Sequence, residues 1–153
     1  KANVNLKEVM QLKAKVSYVK KLSKGSGISY GLKYKVDDEA QIATLPLGYA
    51  DGFTRMLSGK ANAIVAKTGE VVPVVGRICM DQCMINVTDM AIDRDDEIIL
   101  FGSSNGAVIS IDQIADQLDT INYEIVCMIN KRIPRVYIKE NKIVKVRDYV
   151  LEL

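Results

Sequence analysis

The spacing of apolar residues constrains this chain more than any other feature. Over most of its length they alternate with polar ones in short runs, such as "LKAKVSYV" at 12–19, "YGLKYKV" at 30–36 and "CMINVTDM" at 83–90. Side chains on a strand point to opposite faces in turn, so this period buries a continuous surface only when the runs pair into a sheet. Turn residues cut the runs: "KGSGIS" at 24–29, Pro46 and Gly48 after "QIATL", and the acidic "DRDDE" before "IILFG". Thr68-Gly69 inside "NAIVAKTGEVVPVVG" is a hairpin signal, and Glu140-Asn141 marks a turn within "RVYIKENKIVKVRDYVL".

Helical spacing shows only late in the chain. "SIDQIADQLDT" carries Ile111, Ile114, Ala115 and Leu118 on one face, with Ser110 as N-cap and Gln113 completing a capping box. "NYEIVCMIN" predicts a second short helix with Tyr123, Val126, Cys127 and Asn130 on one side. There is no rhythm of strand and long helix, no internal repeat and no low-complexity segment. The pattern predicts a mainly β, barrel-like antiparallel domain of roughly eight to ten strands, with one or two short helices near residues 110–130. With 153 residues the chain can build one core, so residues 1–153 are read as a single domain.

Charge excludes some functions. With 21 basic and 19 acidic residues, the net charge of +2 lacks the basic face of a general nucleic-acid binder. Lys13, Lys15, Lys20, Lys21 and Lys24 cluster early, and a solvated edge strand accounts for them. No apolar run of about 18 residues is present, so no membrane contact by a spanning helix is expected. The N-terminus has no signal-peptide pattern and begins at Lys1, not Met, which suggests a piece of a longer protein. Three cysteines without framework spacing fit a reducing, cytoplasmic setting.

The chain contains no histidine, so a Ser-His-Asp triad, a Cys-His dyad and a zinc site with histidine are unavailable to it alone. "VGRICMDQCM" at 75–84 holds Cys79 and Cys83 with Asp81 between them, but a redox pair prefers Cys-x-x-Cys and a metal site needs more ligands. No metal site is predicted; on a strand over 79–85, residues 79, 81, 83 and 85 would share a face, and both thiols read as packing groups. Seven tyrosines are left as possible proton carriers, although most strand tyrosines only pack, and a tyrosine base needs positive charge nearby. "LPLGYADGFTR" displays Tyr49, Asp51 and Arg55 on a broken strand, as site rims often do, or as a plain turn does. "INKRIPRVY" sets Lys131, Arg132 and Arg135 around Pro134: a surface turn, or an anion site.

Four runs carry more than their spacing. "GSGISYGLKY", "TLPLGYADGFTR", "VPVVGRICMDQCMINVTD" and "TINYEIVCMINKRIPRVY" occur in that order and together resemble the C-terminal domain of alanine racemases, over roughly residues 10 to 138. The resemblance implies a two-domain enzyme that uses pyridoxal 5′-phosphate (PLP), with the cofactor lysine on an N-terminal barrel absent from this chain. "KANVN" at the start is similar to the cofactor-lysine run of that family but lacks the following Tyr-Gly-His-Gly, so Lys1 is not expected to carry the cofactor.

Roles follow motif by motif. The resemblance implies that Tyr30 in "ISYG" is the catalytic base on one face of the substrate, acting in the partner subunit's site of a head-to-tail homodimer. Met80 in "CMDQ" matches the residue whose backbone N–H meets the substrate carboxylate, and Asp81 an orienting carboxylate. Tyr49, Arg55, Arg77 and Ile121 match the substrate entrance, and Tyr123 in "INYE" matches the tyrosine that meets the cofactor phosphate. Phe53 and Thr54 depart from the family's usual residues without touching these positions. The implied activity is interconversion of L- and D-alanine for peptidoglycan, performed only with the barrel domain present. Two alternatives are the racemase domain of a membrane-anchored serine racemase from glycopeptide resistance, for which Tyr123 bears on side-chain size, and a non-catalytic β binding module.

Overall fold

A computed structural model describes residues 8–151; Lys1 and the "KANVN" run lie outside the described residues. Twelve strands and two α-helices follow in order: β1 (Leu12–Lys15), β2 (Tyr18–Leu22), β3 (Gly27–Ile28), β4 (Tyr34–Lys35), β5 (Ala40–Leu45), β6 (Asn62–Val65), β7 (Val71–Val75), β8 (Cys83–Asn86), β9 (Glu97–Ser104), β10 (Ala107–Ile109), α1 (Ile111–Leu118), α2 (Asn122–Met128), β11 (Arg135–Lys139) and β12 (Lys142–Arg147). Both expected helices are present, the strands number twelve among the described residues where eight to ten were expected, and every strand pair is antiparallel.

Eight strands form one sheet in the order β1-β9-β6-β7-β8-β5-β2, with β10 added on β9. The run 12–19, expected as one strand, divides: its two halves are the opposite ends of this sheet. Val16 donates its N–H to the Asp96 carbonyl at 2.9 Å, on the β9 side, and Ser17 donates to the Thr44 carbonyl at 2.9 Å, on the β5 side. One stretch of chain therefore serves both edges. Barrel-like is too strong a description, because consecutive parts of one extended run cannot pair with each other, and no ladder closes the sheet. Lys13, Lys15, Lys20 and Lys21 stand on these two end strands, as the edge reading requires; Lys13 also pairs with Glu97 at 2.8 Å.

The strand period shows directly in the packing. Ala43 and Leu45 of β5, Val74 of β7 and Ile85 of β8 enter the main core, where Ile114 of α1 and Ile125 and Ile129 at α2 cover the sheet. Ile42, Val75 and Met84 face the other way and meet Ile28 and Val36 in a small second core beneath the β3–β4 pair. Burial of each such aliphatic side chain is worth about 1.5–3 kcal/mol. α1 begins as its sequence dictates: the Ser110 hydroxyl accepts from the Gln113 N–H at 3.1 Å, and the Gln113 side chain accepts from the Ser110 N–H at 2.8 Å. β11 and β12 form a separate two-stranded sheet turned at Glu140 and Asn141, both with positive φ (52° and 60°) as a two-residue hairpin demands. That hairpin stays exposed on both faces. No helix among the described residues is long and apolar enough to cross a membrane.

Candidate active site

Tyr30 was expected on a strand; it stands on a 3-10 turn, Tyr30–Leu32, between the two-residue strands β3 and β4. Ser29, Gly31 and Leu32 all have positive φ, at 65°, 75° and 44°, which turns the chain too tightly for a ladder to continue. Ser29, with ψ at −176°, lies in a region nearly reserved for glycine, a strain of about 1–3 kcal/mol. What holds it is visible. Its hydroxyl donates to the Arg77 carbonyl at 2.5 Å and lies 3.3 Å from Cys79 Sγ. Gly76 leaves room for it, since a Cβ there would come within 3.0 Å of the Ser29 and Ile28 side chains. The Arg77 guanidinium lies against Gly31, where a Cβ would approach Nη1 to 3.1 Å. Tyr30 is left 72% exposed on a strained, locally anchored turn.

Met80 stands on a second turn. The strand expected over 79–85 begins only at Cys83, because the Cys79 N–H donates to the Gln82 carbonyl at 2.9 Å and closes a turn over 79–82. Asp81 consequently points outward with Met80 instead of inward with the cysteines. The N–H of Met80 donates to nothing among the described residues, and its side chain is exposed.

The Gly48–Asp51 loop lies directly on this turn. Tyr49 donates its N–H to the Cys79 carbonyl and Ala50 to the Met80 carbonyl, each at 3.0 Å. Only glycine fits at 48: a Cβ would stand 2.2 Å from the Cys79 oxygen and 2.5 Å from the Met80 oxygen. Asp51, which the broken strand suggested would be displayed, is buried at 6% exposure. The reason is its bonding. One carboxylate oxygen accepts from the Gly48 N–H at 2.9 Å, the other lies 3.3 Å from Arg132 Nε, and the Asn130 N–H donates to its carbonyl at 2.9 Å. Arg132 also reaches Asp81 with Nη2 at 2.7 Å. The Asp81 hydrogen bond, with the Asp51 charge behind it, raises the Arg132 pKa above its usual value. Arg135 donates to the Ile129 carbonyl at 3.2 Å and Lys131 lies 5.6 Å from the centre of the Tyr149 ring, so the two arginines of "KRIPR" bind this chain's own oxygens and the run does not form an open anion site.

Both turns meet at one open cleft of about 500 Å³, lined by Ser29, Tyr30, Cys79 and Gln82 over a floor that includes Ile42 and Met84. Arg55 belongs to the neighbouring wall. The Ser58 hydroxyl donates to the Arg55 carbonyl at 2.6 Å and accepts from the Ile78 N–H at 3.0 Å, which ties that wall to the Met80 turn. Ile121 and Tyr123 are not brought to the cleft; they stand exposed at the N-terminal end of α2, whose other end packs on Gly52. Cys83 is fully buried, and its thiol is pushed up to about 12 by burial first and then by Cys79 and Asp51. It is a packing group, as is Cys79, while Cys127 is exposed.

Ser29, the burial of Asp51 and the double pairing of Arg132 were not legible in the sequence. Nothing in "GSGIS" distinguishes the one serine held at positive φ, and Arg132 finds carboxylates 51 and 81 only through tertiary structure.

Comparison with known proteins bears on the whole of this wall. The family described as "Alanine racemase, C-terminal domain" matches residues 9–137. The alanine racemase of Clostridium novyi (strain NT) is 55% identical over 152 residues, and alanine racemase 1 of Clostridium acetobutylicum 52% identical over 151. In both cases the match covers 98% of this chain and 39% of the relative, so the chain spans well under half the length of these relatives. Among solved structures, the alanine racemase of Bacillus anthracis with bound L-Ala-P superposes with a TM-score of 0.88 at 38% identity, covering 94% of this chain and 36% of that one. The alanine racemase of Clostridium difficile 630 in complex with cycloserine gives 0.85 at 46% identity, covering 92% and 36%. The ordered fold, the two turns and these matches agree: the chain belongs to the alanine racemase C-terminal domain family.

Proposed function

We propose that this chain completes the active site of a PLP-dependent alanine racemase, interconverting L- and D-alanine for peptidoglycan in the cytoplasm, with Tyr30 as one of the two groups that move the substrate's α-proton. The observation that carries the reading is the meeting, at one cleft, of an exposed phenol on an anchored turn and the ends of a second turn, Cys79 and Gln82, between which Met80 keeps an unused backbone N–H. Racemisation asks for these two functions. A donor holds the carboxylate, and a proton-moving group works on one face of the α-carbon while another works on the opposite face.

The Met80 N–H receives the substrate carboxylate, and Asp81 fixes the turn that carries it. Arg77 and Arg55 give the entrance a positive field that draws a carboxylate inward, and Tyr49 narrows it. Tyr30 Oη takes the α-proton in one direction and returns it in the other. Tyr123 fits a phosphate oxygen: its ring is 74% exposed, its hydroxyl makes no hydrogen bond among the described residues, and the carboxylate of the neighbouring Glu124 is occupied by the Thr120 hydroxyl. Ile121, exposed two residues before it, would reach the entrance only once the rest of the enzyme is assembled around this chain. PLP, when bound, supplies the electron sink that acidifies the α-C–H bond. The cofactor lysine belongs to the N-terminal barrel, and Tyr30 serves the partner's site in a head-to-tail homodimer.

The test is Tyr30→Phe in the full-length protein. Turnover of alanine should fall about 10²–10⁴-fold while the cofactor's absorbance is retained. Racemisation at the wild-type rate would refute Tyr30 as the proton carrier. L-Serine in the same assay addresses the serine racemase alternative: serine turnover equal to that of alanine would favour it.

A further inference from the structure

The buried charge in this wall points to a residue that the resemblance leaves without a role. Among the described residues Asp51 is the single buried charged side chain, and burying a carboxylate is costly unless it is paired and hydrogen-bonded. Its cation is Arg132, which lies immediately after α2 in the loop before β11. The same guanidinium grips Asp81, next to Met80. Arg132 thus bridges two segments that are otherwise joined by two backbone hydrogen bonds and the close approach of Gly48: the loop bearing Tyr49 and the turn bearing Met80. Its own backbone is fixed as well, since the Arg132 N–H donates to the Asn130 side chain at 3.0 Å and Asn130 donates to the Asp51 carbonyl. The planar fork of arginine can span two carboxylates, whereas the single ammonium of lysine is a point charge that can hold one well.

We propose that Arg132 is a positioning residue that locks the entrance loop and the carboxylate-binding turn into one unit, and so sets the affinity of the site for the substrate carboxylate. This rests on the function proposed above for Met80. Arg132 does not touch substrate; it acts through Asp51 and Asp81. Losing it frees the Met80 turn to move against Tyr49, which weakens binding of a carboxylate in ground state and transition state alike.

The experiment uses the full-length protein with Arg132→Met, Arg132→Lys and Asp81→Asn, and Arg94→Met, at an exposed position outside the wall, as control. Asp81→Asn keeps the pairing of Arg132 with the buried Asp51, so it guards against an Arg132→Met protein that fails to fold. Two readings are taken: amide hydrogen exchange at Tyr49 and Ala50, and steady-state kinetics with acetate as a carboxylate inhibitor. Arg132→Met and Asp81→Asn should speed exchange at both amides, and should raise the KM for alanine and the inhibition constant for acetate about tenfold, with kcat changing less than about threefold. Arg132→Lys should fall between them and wild type, and Arg94→Met should match wild type. Unchanged exchange at Tyr49 and Ala50 overturns the proposal, as does faster exchange with unaltered KM and acetate inhibition. Wild-type protein that racemises no alanine refutes the function proposed for the whole chain instead, and the exchange data then decide the clamp by themselves.

Discussion

The Tyr30 turn and the Met80 turn line the same cleft but are built in opposite ways. The Met80 turn is held redundantly: two backbone hydrogen bonds from the 48–51 loop, a turn-closing bond of its own and the ion pair from Asp81 to Arg132, whose other partner is the buried Asp51. The Tyr30 turn sits on a pair of two-residue strands over a small core, and its conformation depends on one strained serine and its hydroxyl. A group that offers a fixed backbone donor gains from rigidity, because the N–H must already point at the carboxylate. On the proposed role, a side chain that gives and takes a proton needs a defined root and a free tip, and the exposed Tyr30 ring on an anchored backbone is consistent with that.

The difference can be broken first at Gly48. Gly48→Ala drives a methyl group into two backbone oxygens that cannot move without unmaking the turn. It should cost more than about 4 kcal/mol in denaturant unfolding. A loss below 1 kcal/mol would mean that the two loops are not interlocked as described. On the other turn the expected effect is smaller and has an internal comparison. Ser29→Ala keeps the strained backbone and loses the hydroxyl bond to Arg77, a loss of about 1–2 kcal/mol. Ser29→Gly loses the same bond but relieves the strain, so it should be the less destabilising of the two. If alanine proves better tolerated than glycine, the backbone at Ser29 is not strained.

A subtler handle lies beneath the Met80 turn. The folded-state pKa of Cys83 is raised from 9.0 to about 12, with burial the main cause. The unfolded chain therefore loses this proton at lower pH than the folded one. The stability that Cys83 contributes is intact below pH 9.0 and is lost as pH rises toward about 12, with a slope of at most about 1.4 kcal/mol per pH unit. Unfolding midpoints measured from pH 8 upward should fall less steeply for Cys83→Ala than for wild type; parallel curves would show that the thiol is not protected by its burial.

What the sequence disclosed about this molecule was local. The β6–β7 hairpin followed from Thr68-Gly69 between two alternating runs, α1 from Ser110 and Gln113, and the edge strands from their lysines, because each of these signals lies within a few residues. The failures were of longer range. Whether the sheet closes depends on how the Leu12–Leu22 run meets β9 and β5, and no local pattern encodes that. The roles proposed for Tyr30, Met80 and Tyr49 rest on motif resemblance, which says nothing of what anchors them. Ser29 carries the same letters as any turn serine, and the partners of Arg132 are 51 and 81 residues away in the sequence. The burial of Asp51 was hidden for the same reason, since an aspartate before glycine ordinarily reads as a surface turn.

The run from Leu12 to Leu22, with one half on β9 and the other on β5, also decides when this fold can be finished. Lys13 meets Glu97 across a separation of 84 residues, so the earliest strand waits for one of the later ones. Contacts of that range carry a loop-closure cost before they return any stability, and they slow the folding of sheets. During synthesis the β5–β8 strands can pair among themselves while Leu12 and Val16 still lack the β9 side of their core. The lysines of this segment then act as a safeguard in time as well as in space: they keep a waiting strand from joining the wrong edge until β9 has left the ribosome.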